Sequence, residues 1–411
     1  MPTQEPHDTV NPHAMGRAGL WAVGLGASIM PLDFAVNIAF PAITASFALP
    51  TQDIRWMALC YVFTYGALML VFGALGDRIG HLRVFTAGLW LAFFSLLTSA
   101  LAPSYALLLA SRVVQGVAVA LTLSCAPALV LQLHAAEART RALSSYGVMH
   151  ALAGMLAPLL GGLSMLALGW AGVFWMRLPV VLVAIALLPR LRRQLAQAVS
   201  VTPPVSRPGL LGLFADARRS QGGFVWLQAS NAVVQFTAFT VPLCLPYFLM
   251  RAHGLDTLAS GASLSWWALG VLAGSAWLER LARRVPMARL LQISGVAVGL
   301  TLALMAGAVA LPVGQGAWGL AVALACQGVA LGMFQVAYSD RVVQGLPPSA
   351  RGVAGSLTIV TRTLGVMAGA WVWLWMLSTG ADAWWTFAAL YAVAAVISTS
   401  FFAVTARVLR D

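Results

Sequence analysis

The sequence predicts an all-α membrane protein with twelve transmembrane helices, arranged as two pseudo-symmetric bundles of six. Of its 411 residues, 60% are hydrophobic and only 9% are charged, which is more apolar surface than a water-soluble domain can bury. The apolar residues form long stretches separated by short polar connections, as helices that cross a bilayer require. Patterns of the first half also recur in the second half, which indicates an internal duplication.

Twelve stretches are long and apolar enough to span a bilayer, which takes about 20 residues of helix. Their ends are placed to within about four residues. In chain order, the predicted spans cover residues 18–47, 53–75, 83–102, 105–132, 142–166, 170–189, 223–249, 257–281, 287–311, 316–342, 352–378 and 383–407.

These spans divide the chain into five parts. A polar segment, residues 1–17, is predicted to be disordered and cytoplasmic, and it precedes a six-helix bundle over residues 18–189. Residues 190–222 are rich in proline and arginine and form a predicted cytoplasmic linker. The second six-helix bundle covers residues 223–407, and a cytoplasmic tail covers residues 408–411.

The distribution of arginine predicts the orientation of the spans. All 24 basic side chains are arginines, and clusters at residues 190–193 and 278–284 fall on one side of the membrane. Only Arg55 and Arg251 lie in loops on the other side, with Arg177 near the outer end of the sixth span. Because excess positive charge marks the cytoplasmic side, we expect a multi-pass protein of the plasma (bacterial inner) membrane with both termini cytoplasmic. The sequence pI of about 10.7 then reflects topology and does not indicate nucleic-acid binding.

The two halves share sequence patterns at a nearly constant offset. "VVQGVAVAL" at residues 113–121 resembles "ACQGVALGM" at residues 325–333, and Arg141 corresponds to Arg351. Parallel repeats with a binding site at their interface are a transporter architecture.

The connection between the second and third spans carries a charged turn, "GALGDRIGHLR", at residues 73–83. Asp77 ends a span at the cytoplasmic surface, and Gly80 permits a sharp turn. A carboxylate there can accept hydrogen bonds from arginine or from the start of a neighbouring helix, forming a latch in one conformation only. The alternative is an ordinary loop cap. The residues of the predicted gating latch are Gly73, Asp77, Arg78, Gly80 and Arg83.

The fifth span is rich in small residues and contains a proline. Small residues let helix backbones approach closely, and proline removes one hydrogen bond within the helix. We expect a hinge packed between the two bundles, while a tightly packed static helix is the alternative. The predicted hinge residues are Gly154, Pro158, Gly161 and Gly162.

Three charged residues, Asp33, Arg112 and Arg362, lie at mid-membrane depth in the predicted spans. A charge at this depth costs about 2.5–3.5 kcal/mol, so each of them needs a structural or functional reason. Asp33 shares a helix face with Asn37, four residues later. We expect Asp33 to bind the coupling proton; the alternative is a static network of buried ion pairs.

Further polar residues extend this set. They lie on helix faces of later spans, and they are Gln115, Asn231, Gln235 and Gln327. His150 in the fifth span is either a proton relay or, as we expect, a packing histidine held by hydrogen bonds.

Several of these stretches resemble motifs of the major facilitator superfamily. Residues 73–83 resemble its motif between helices 2 and 3, residues 111–120 its helix 4 motif, and residues 154–163 its antiporter motif in helix 5. "IMPLDFAVNIAF", residues 29–40, is similar to the helix 1 motif of the drug:proton antiporter branch, here with twelve rather than fourteen helices. The resemblance implies the major facilitator fold, in which helices 1, 4, 7 and 10 line a central cavity. It therefore predicts that the polar faces converge on this cavity, whose wall would include Asn37, Arg112, Gln115, Asn231, Gln235, Gln327 and Arg362.

The expected function is therefore secondary active transport by alternating access, most simply proton-coupled export of hydrophobic or amphipathic small molecules, as in multidrug efflux. Two alternatives stay open: proton-coupled import of a small anionic metabolite, and a non-transporting membrane sensor on the same fold. The excess of buried arginine over buried aspartate favours the importer.

The sequence lacks the patterns of an enzyme. It contains no lysine for a phosphate-binding loop, no nucleophile elbow and no histidine–cysteine metal set. We expect a monomer without cofactor or metal, whose partners are a small-molecule substrate, protons and the lipid bilayer, and not nucleic acid.

Overall fold

A computed structural model of the chain describes residues 12–134, 138–197, 223–252, 254–310, 317–344, 351–379 and 384–406. Every regular element within these ranges is a helix. The predicted all-α class is confirmed.

Twelve long helices follow the order of the predicted spans. In the first half, α1 consists of Pro12–Ala27, Ile29–Leu32 and Phe34–Ser46, α2 is Arg55–Ile79, α3 is His81–Ala100, α4 is Tyr105–Gln132, α5 is Arg139–Leu168 and α6 is Leu178–Gln197. In the second half, α7 consists of Phe224–Ala238 and Thr240–Tyr247, α8 is Thr257–Leu281, α9 is Met287–Val309, α10 is Ala317–Gln344, α11 is Arg351–Thr379 and α12 is Trp384–Thr405.

Most of these helices are long and apolar enough to cross a membrane. By length and hydropathy, nine helical stretches of the described residues qualify, or ten when the bent pair 51–69 and 71–79 is counted as one span. One stretch, Arg141–Gln197, is 57 residues long and contains both α5 and α6. The protein is therefore an integral, multi-pass membrane protein, and twelve helices agree with the prediction.

Two helices extend beyond the predicted ends of their spans. α1 begins at Pro12, so the described part of the segment predicted to be disordered is helical. Proline is well tolerated there because the first turn of a helix does not need its missing N–H. α6 continues to Gln197, eight residues past the predicted end of its span at residue 189. The rest of the predicted disordered segment and linker, residues 1–11 and 198–222, and the predicted tail, residues 408–411, lie outside the described residues.

The two halves meet along two helix pairs, α5 with α8 and α2 with α11. Glycine permits both contacts. A Cβ atom on Gly261 of α8 would lie 2.5 Å from the carbonyl oxygen of Pro158 on α5. A Cβ atom on Gly66 of α2 would lie 2.7 Å from a methyl carbon of Thr363 on α11. Small residues therefore bring the backbones together, as membrane helix interfaces require.

The residues of the predicted hinge lie at or beside the α5–α8 contact. Gly162 joins Pro158 in facing Gly261, while Gly161 packs against Ala35 of α1. Gly154 lies closer to the centre of the protein, near Pro31 of α1. This position is the one that a hinge between the bundles requires, and its motion stays a prediction.

Candidate functional site

Helix α1 is interrupted at Asp33. The N–H of Asp33 donates to the carbonyl of Met30, three residues earlier, at 3.1 Å, and the regular helix resumes at Phe34. Pro31 supports the interruption because it lacks an N–H for the helical hydrogen-bond pattern. The carboxylate is thus located at a break in a helix that is otherwise almost entirely apolar.

Asp33 forms two ion pairs inside the first bundle. Nη1 and Nη2 of Arg112 donate to the two carboxylate oxygens, each at 2.7 Å. Nη1 of Arg177 donates to Oδ1 at 2.6 Å. The arginines are 1% and 0% exposed, and charge-assisted, bidentate contacts of this kind are among the strongest polar contacts in proteins. One carboxylate therefore holds two buried guanidinium groups.

The guanidinium of Arg112 has three further contacts besides Asp33. Its Nε donates to the carbonyl of Met57 at 3.1 Å, and its Nη1 also donates to Oε1 of Gln115 at 2.5 Å. The guanidinium lies over the ring of Tyr61, 4.1 Å from its centroid. Because these partners belong to α1, α2 and α4, the ion pair orders three helices around one charge.

Arg177 corrects the sequence-based assignment. The sequence placed it near the outer end of the sixth span and did not include it among the site residues. The short helical turn Gly172–Trp175 instead directs it inward, and its Nε donates to the carbonyl of Val173 at 3.0 Å. The only sequence signal was its apolar surroundings, "FWMRLPV". Burial of an arginine requires a carboxylate, and Asp33 supplies it.

A cavity of about 300 Å³ lies between the two bundles. Its volume is at the lower end of the range for small-molecule sites. Its polar wall includes Asp33, Asn37, Arg112, His150, Gln235 and Arg362. Its apolar wall includes Phe34, Tyr61, Tyr65, Met155, Phe239 and Trp267. Both halves contribute, and Phe34 meets Trp267 edge to face across the cavity, with ring centroids 6.0 Å apart.

Not every predicted cavity residue reaches this wall. Gln115 lies behind Arg112 as its hydrogen-bond partner. The amide of Asn231 on α7 donates to the hydroxyl of Thr361 on α11 at 2.7 Å. Gln327 on α10 accepts a hydrogen bond of 2.7 Å from Thr301 on α9. Helical spacing places these residues on polar faces, but it does not tell where the faces point. Asn231 and Gln327 join helices within the second bundle, and Gln115 supports Arg112 on the same helix.

The turn between α2 and α3 has the predicted geometry. Gly80 has a φ of +99°, a conformation that favours glycine. Asp77 forms an ion pair with His81, 3.2 Å from carboxylate oxygen to ring nitrogen. Arg78 and Arg83 are exposed at the same end of the protein. The cross-bundle latch of Asp77 stays a prediction.

The opposite end of the protein, predicted to face outward, is closed by contacts between the bundles. The hydroxyls of Thr44 on α1 and Tyr247 on α7 are 3.0 Å apart. The guanidinium of Arg55 on α2 lies 4.0 Å from the ring centroid of Trp371 on α11. Trp56 adds an edge-on contact to the same ring at 5.8 Å.

No group of three or more histidine, cysteine, aspartate or glutamate side chains that could hold a metal ion occurs in the part of the chain that the structure describes. The polar side chains that the structure describes on the cavity wall include arginines, the carboxylate of Asp33, His150 and amides.

Comparison with known proteins defines the class. The profile of the Major Facilitator Superfamily matches residues 21–370, and the chain belongs to this superfamily of membrane transporters. Among solved structures, the nucleoside transporter NupG has a TM-score of 0.74 at 14% identity, covering 97% of this chain and 99% of that one. A bacterial homologue of the human lysosomal transporter Spinster has a TM-score of 0.67 at 20% identity, covering 98% and 97%. Both likenesses confirm the fold.

Curated relatives match the chain over a shorter stretch. The Methylenomycin A resistance protein of Streptomyces coelicolor is 33% identical over 40% of this chain and 35% of its own length. The drug efflux pump JefA of Mycobacterium tuberculosis is 31% identical over 40% and 33%. The riboflavin transporter RibZ of Clostridioides difficile is 27% identical over 40% and 36%. The matched segment thus spans about a third of the length of these relatives.

Proposed function

We propose that the protein exports hydrophobic or amphipathic small molecules in exchange for protons, by alternating access of the central cavity. The observation that carries this proposal is the location of Asp33, a carboxylate in two buried ion pairs on the wall of a cavity between the bundles. The mixed aromatic and polar lining suits amphipathic ligands. Relatives named as a drug efflux pump and a resistance protein support export.

Asp33 is the proposed proton site because, among the residues that the structure describes, it is the single acidic side chain on the cavity wall. In its charged form it is neutralised by Arg112 and Arg177. Proton binding would remove the charge and weaken both ion pairs. Proton entry and rearrangement of α1, α4 and α6 would therefore be coupled through the same atoms, which is the requirement for a proton-driven conformational change.

The rocking of the bundles would use the glycine contacts as pivots. Opening of the outer end would break the Arg55–Trp371 and Thr44–Tyr247 contacts, while the turn at Asp77 would latch the cytoplasmic end. Asp77→Asn should slow transport while leaving the protein folded and inserted. Wild-type flux in this variant would exclude a gating role for Asp77 and leave it as an ordinary loop cap.

Import of a small anionic metabolite together with protons is the second candidate. It is favoured by the charge balance, because Arg112, Arg177 and Arg362 face a single carboxylate. The two candidates differ in the sign of thermodynamic linkage. A substrate that competes with the proton releases it on binding, whereas an anion that favours the protonated form of Asp33 takes a proton up.

The test measures proton release or uptake by purified protein in weakly buffered detergent as amphipathic cations, neutral compounds and anions are added. Release supports exchange, and uptake supports cotransport. Liposomes with an imposed pH difference then test coupling: Asp33→Asn should lose uphill transport. The control is Asp256→Asn, because Asp256 is an exposed helix cap whose role asparagine can retain. Uphill transport by Asp33→Asn would exclude Asp33 as the coupling site, and His150 would be examined next.

A further inference from the structure

Arg362 on α11 is a cavity-wall arginine that lacks a protein partner. It lines the cavity and is partly buried. It forms no hydrogen bond and no ion pair with any residue that the structure describes. A guanidinium carries five N–H donors and a permanent positive charge. Its location at a depth where charge is costly therefore calls for a partner that the protein itself does not supply.

Among the described residues of the cavity wall, Asp33 has the single carboxylate, and it forms no ion pair with Arg362. Both oxygens of Asp33 accept hydrogen bonds from Arg112, and one of them also accepts from Arg177. The cluster of these three residues already has an excess positive charge. Arg362 adds a further positive charge to the same cavity, and His150 and Tyr65 lie on the same wall.

The backbone on both sides of Arg362 is fixed. Thr361 accepts a hydrogen bond from Asn231 at 2.7 Å, which ties α11 to α7. Thr363 packs against Gly66, where α11 meets α2 of the other bundle. The base of the Arg362 side chain is thus held from two directions, and its charged end is left for the cavity. Such preorganisation lowers the entropic cost of binding a ligand.

The remaining cavity wall is aromatic and apolar. Phe34, Phe239 and Trp267 lie on it together with Met155. Planar rings and a flexible thioether suit a flat apolar ligand body. A wall of this kind with a free guanidinium suits a ligand that has an apolar body and one anionic group.

We propose that the substrate is an amphipathic organic acid whose anionic group is bound by Arg362 while its apolar part lies against the aromatic wall. The proposal rests on the proposed transport function of this cavity, and it deepens that function by naming the substrate class. It applies to either direction of transport. Export of such an anion would also be driven by a membrane potential that is negative inside, by about 2.3 kcal/mol per charge per 100 mV, so export does not require direct competition at Asp33.

The test uses three probes of the same shape: 2-naphthoate, its neutral amide 2-naphthamide, and the cation 2-naphthylmethylammonium. Binding to the purified, detergent-solubilised protein is measured by equilibrium dialysis. The wild-type protein should prefer naphthoate over naphthamide by about tenfold or more, the range expected for a hydrogen-bonded charge. Arg362→Gln should reduce this preference to near one, and Arg362→Lys should retain part of it because lysine keeps the charge.

The matched control is Arg289→Gln, which removes the same charge from an exposed position at the start of α9 and should leave the preference unchanged. Equal binding of acid and amide, tighter binding of the cation, or absence of naphthoate binding at millimolar concentration would overturn the proposal. So would a preference that persists in Arg362→Gln. Melting temperatures identify variants that fail to fold, and Arg362→Lys then carries the test.

Failure of the transport function is recognised separately. Binding preference is measured without flux, so an acid preference that depends on Arg362, combined with no transport in liposomes, would reject transport and retain the anion site. Flux of amphipathic compounds without a preference for the acid would retain the transport function and reject the anion site.

Discussion

Asp33 on α1 and Arg112 on α4 face each other with two parallel hydrogen bonds, each 2.7 Å long. The pair is buried, and Arg112 is also held by Met57, Gln115 and the ring of Tyr61. Removing one partner of a buried ion pair is far more harmful than removing both, because the remaining charge has lost its compensation. The contribution of the ion pair to stability can therefore be measured by comparing single and double variants.

Arg112→Gln removes the bidentate contact but leaves Asp33 paired with Arg177, so it should destabilise the folded protein by about 1–3 kcal/mol, less than an uncompensated buried charge would cost. The double variant Asp33→Asn with Arg112→Gln should be more stable than the sum of the single effects predicts. Thermal or denaturant unfolding in detergent measures the difference. Additive effects would mean that the bidentate contact adds little to stability.

Arg177 should be replaceable only by a group that reproduces its geometry. Arg177→Gln removes the contact with Asp33, and Arg177→Lys keeps the charge but loses the second donor that binds the carbonyl of Val173. We expect lysine to restore only part of the stability, with a deficit of about 1–2 kcal/mol. Arg78→Gln, a change at an exposed arginine, should be nearly neutral. Equal melting temperatures for Arg177→Gln and Arg78→Gln would contradict a structural role for Arg177.

The α5–α8 contact should not accommodate an added methyl group at Gly261. Gly261→Ala would place a Cβ 2.5 Å from the backbone oxygen of Pro158, so the two helices would have to separate, at an expected cost of about 1–3 kcal/mol. The matched control is Gly307→Ala on α9, where nothing lies within 4 Å of the new atom and helix propensity favours alanine. Melting temperature and liposome flux should fall in the first variant alone. Normal flux with Gly261→Ala would exclude this contact as a pivot.

The closed end should open more readily without Trp371. Trp371→Ala removes the ring under Arg55, a cation–π contact of about 0.5–2 kcal/mol, so the population open at this end should rise by about two- to thirtyfold. A reporter thiol introduced by Thr44→Cys, in a background with the four native cysteines changed to alanine, would label faster with a membrane-impermeant maleimide.

The control for this experiment is Trp375→Ala, one turn further along α11, where the side chain is largely exposed. Its labelling rate should equal that of the unaltered background. A similar increase in both variants would indicate general loosening of α11 and would argue against a specific gate at Arg55 and Trp371.

The sequence by itself determined the class of the protein, the order of its twelve helices and its superfamily. These properties depend on local features of the chain: apolar length, arginine between spans, and motifs such as the turn at Gly80. It also singled out Asp33, Arg112 and Arg362, because a charged residue within an apolar stretch can be recognised from the sequence alone.

Tertiary structure alone decided which of these charges are partners. Asp33 and Arg112 are 79 positions apart, and Asp33 and Arg177 are 144 apart, so their pairing depends on how α1, α4 and α6 pack. Helical spacing tells which residues share a face but not where the face points. The face of α10 that carries Gln327 contacts α9, so Gln327 does not line the cavity. Arg177 was missed for the same reason. The conformation of the turn before an arginine at a span end decides whether its side chain faces water or the protein core, and the sequence does not give that conformation. Arg362 kept its predicted place on the cavity wall, and only the packing left it without a partner there.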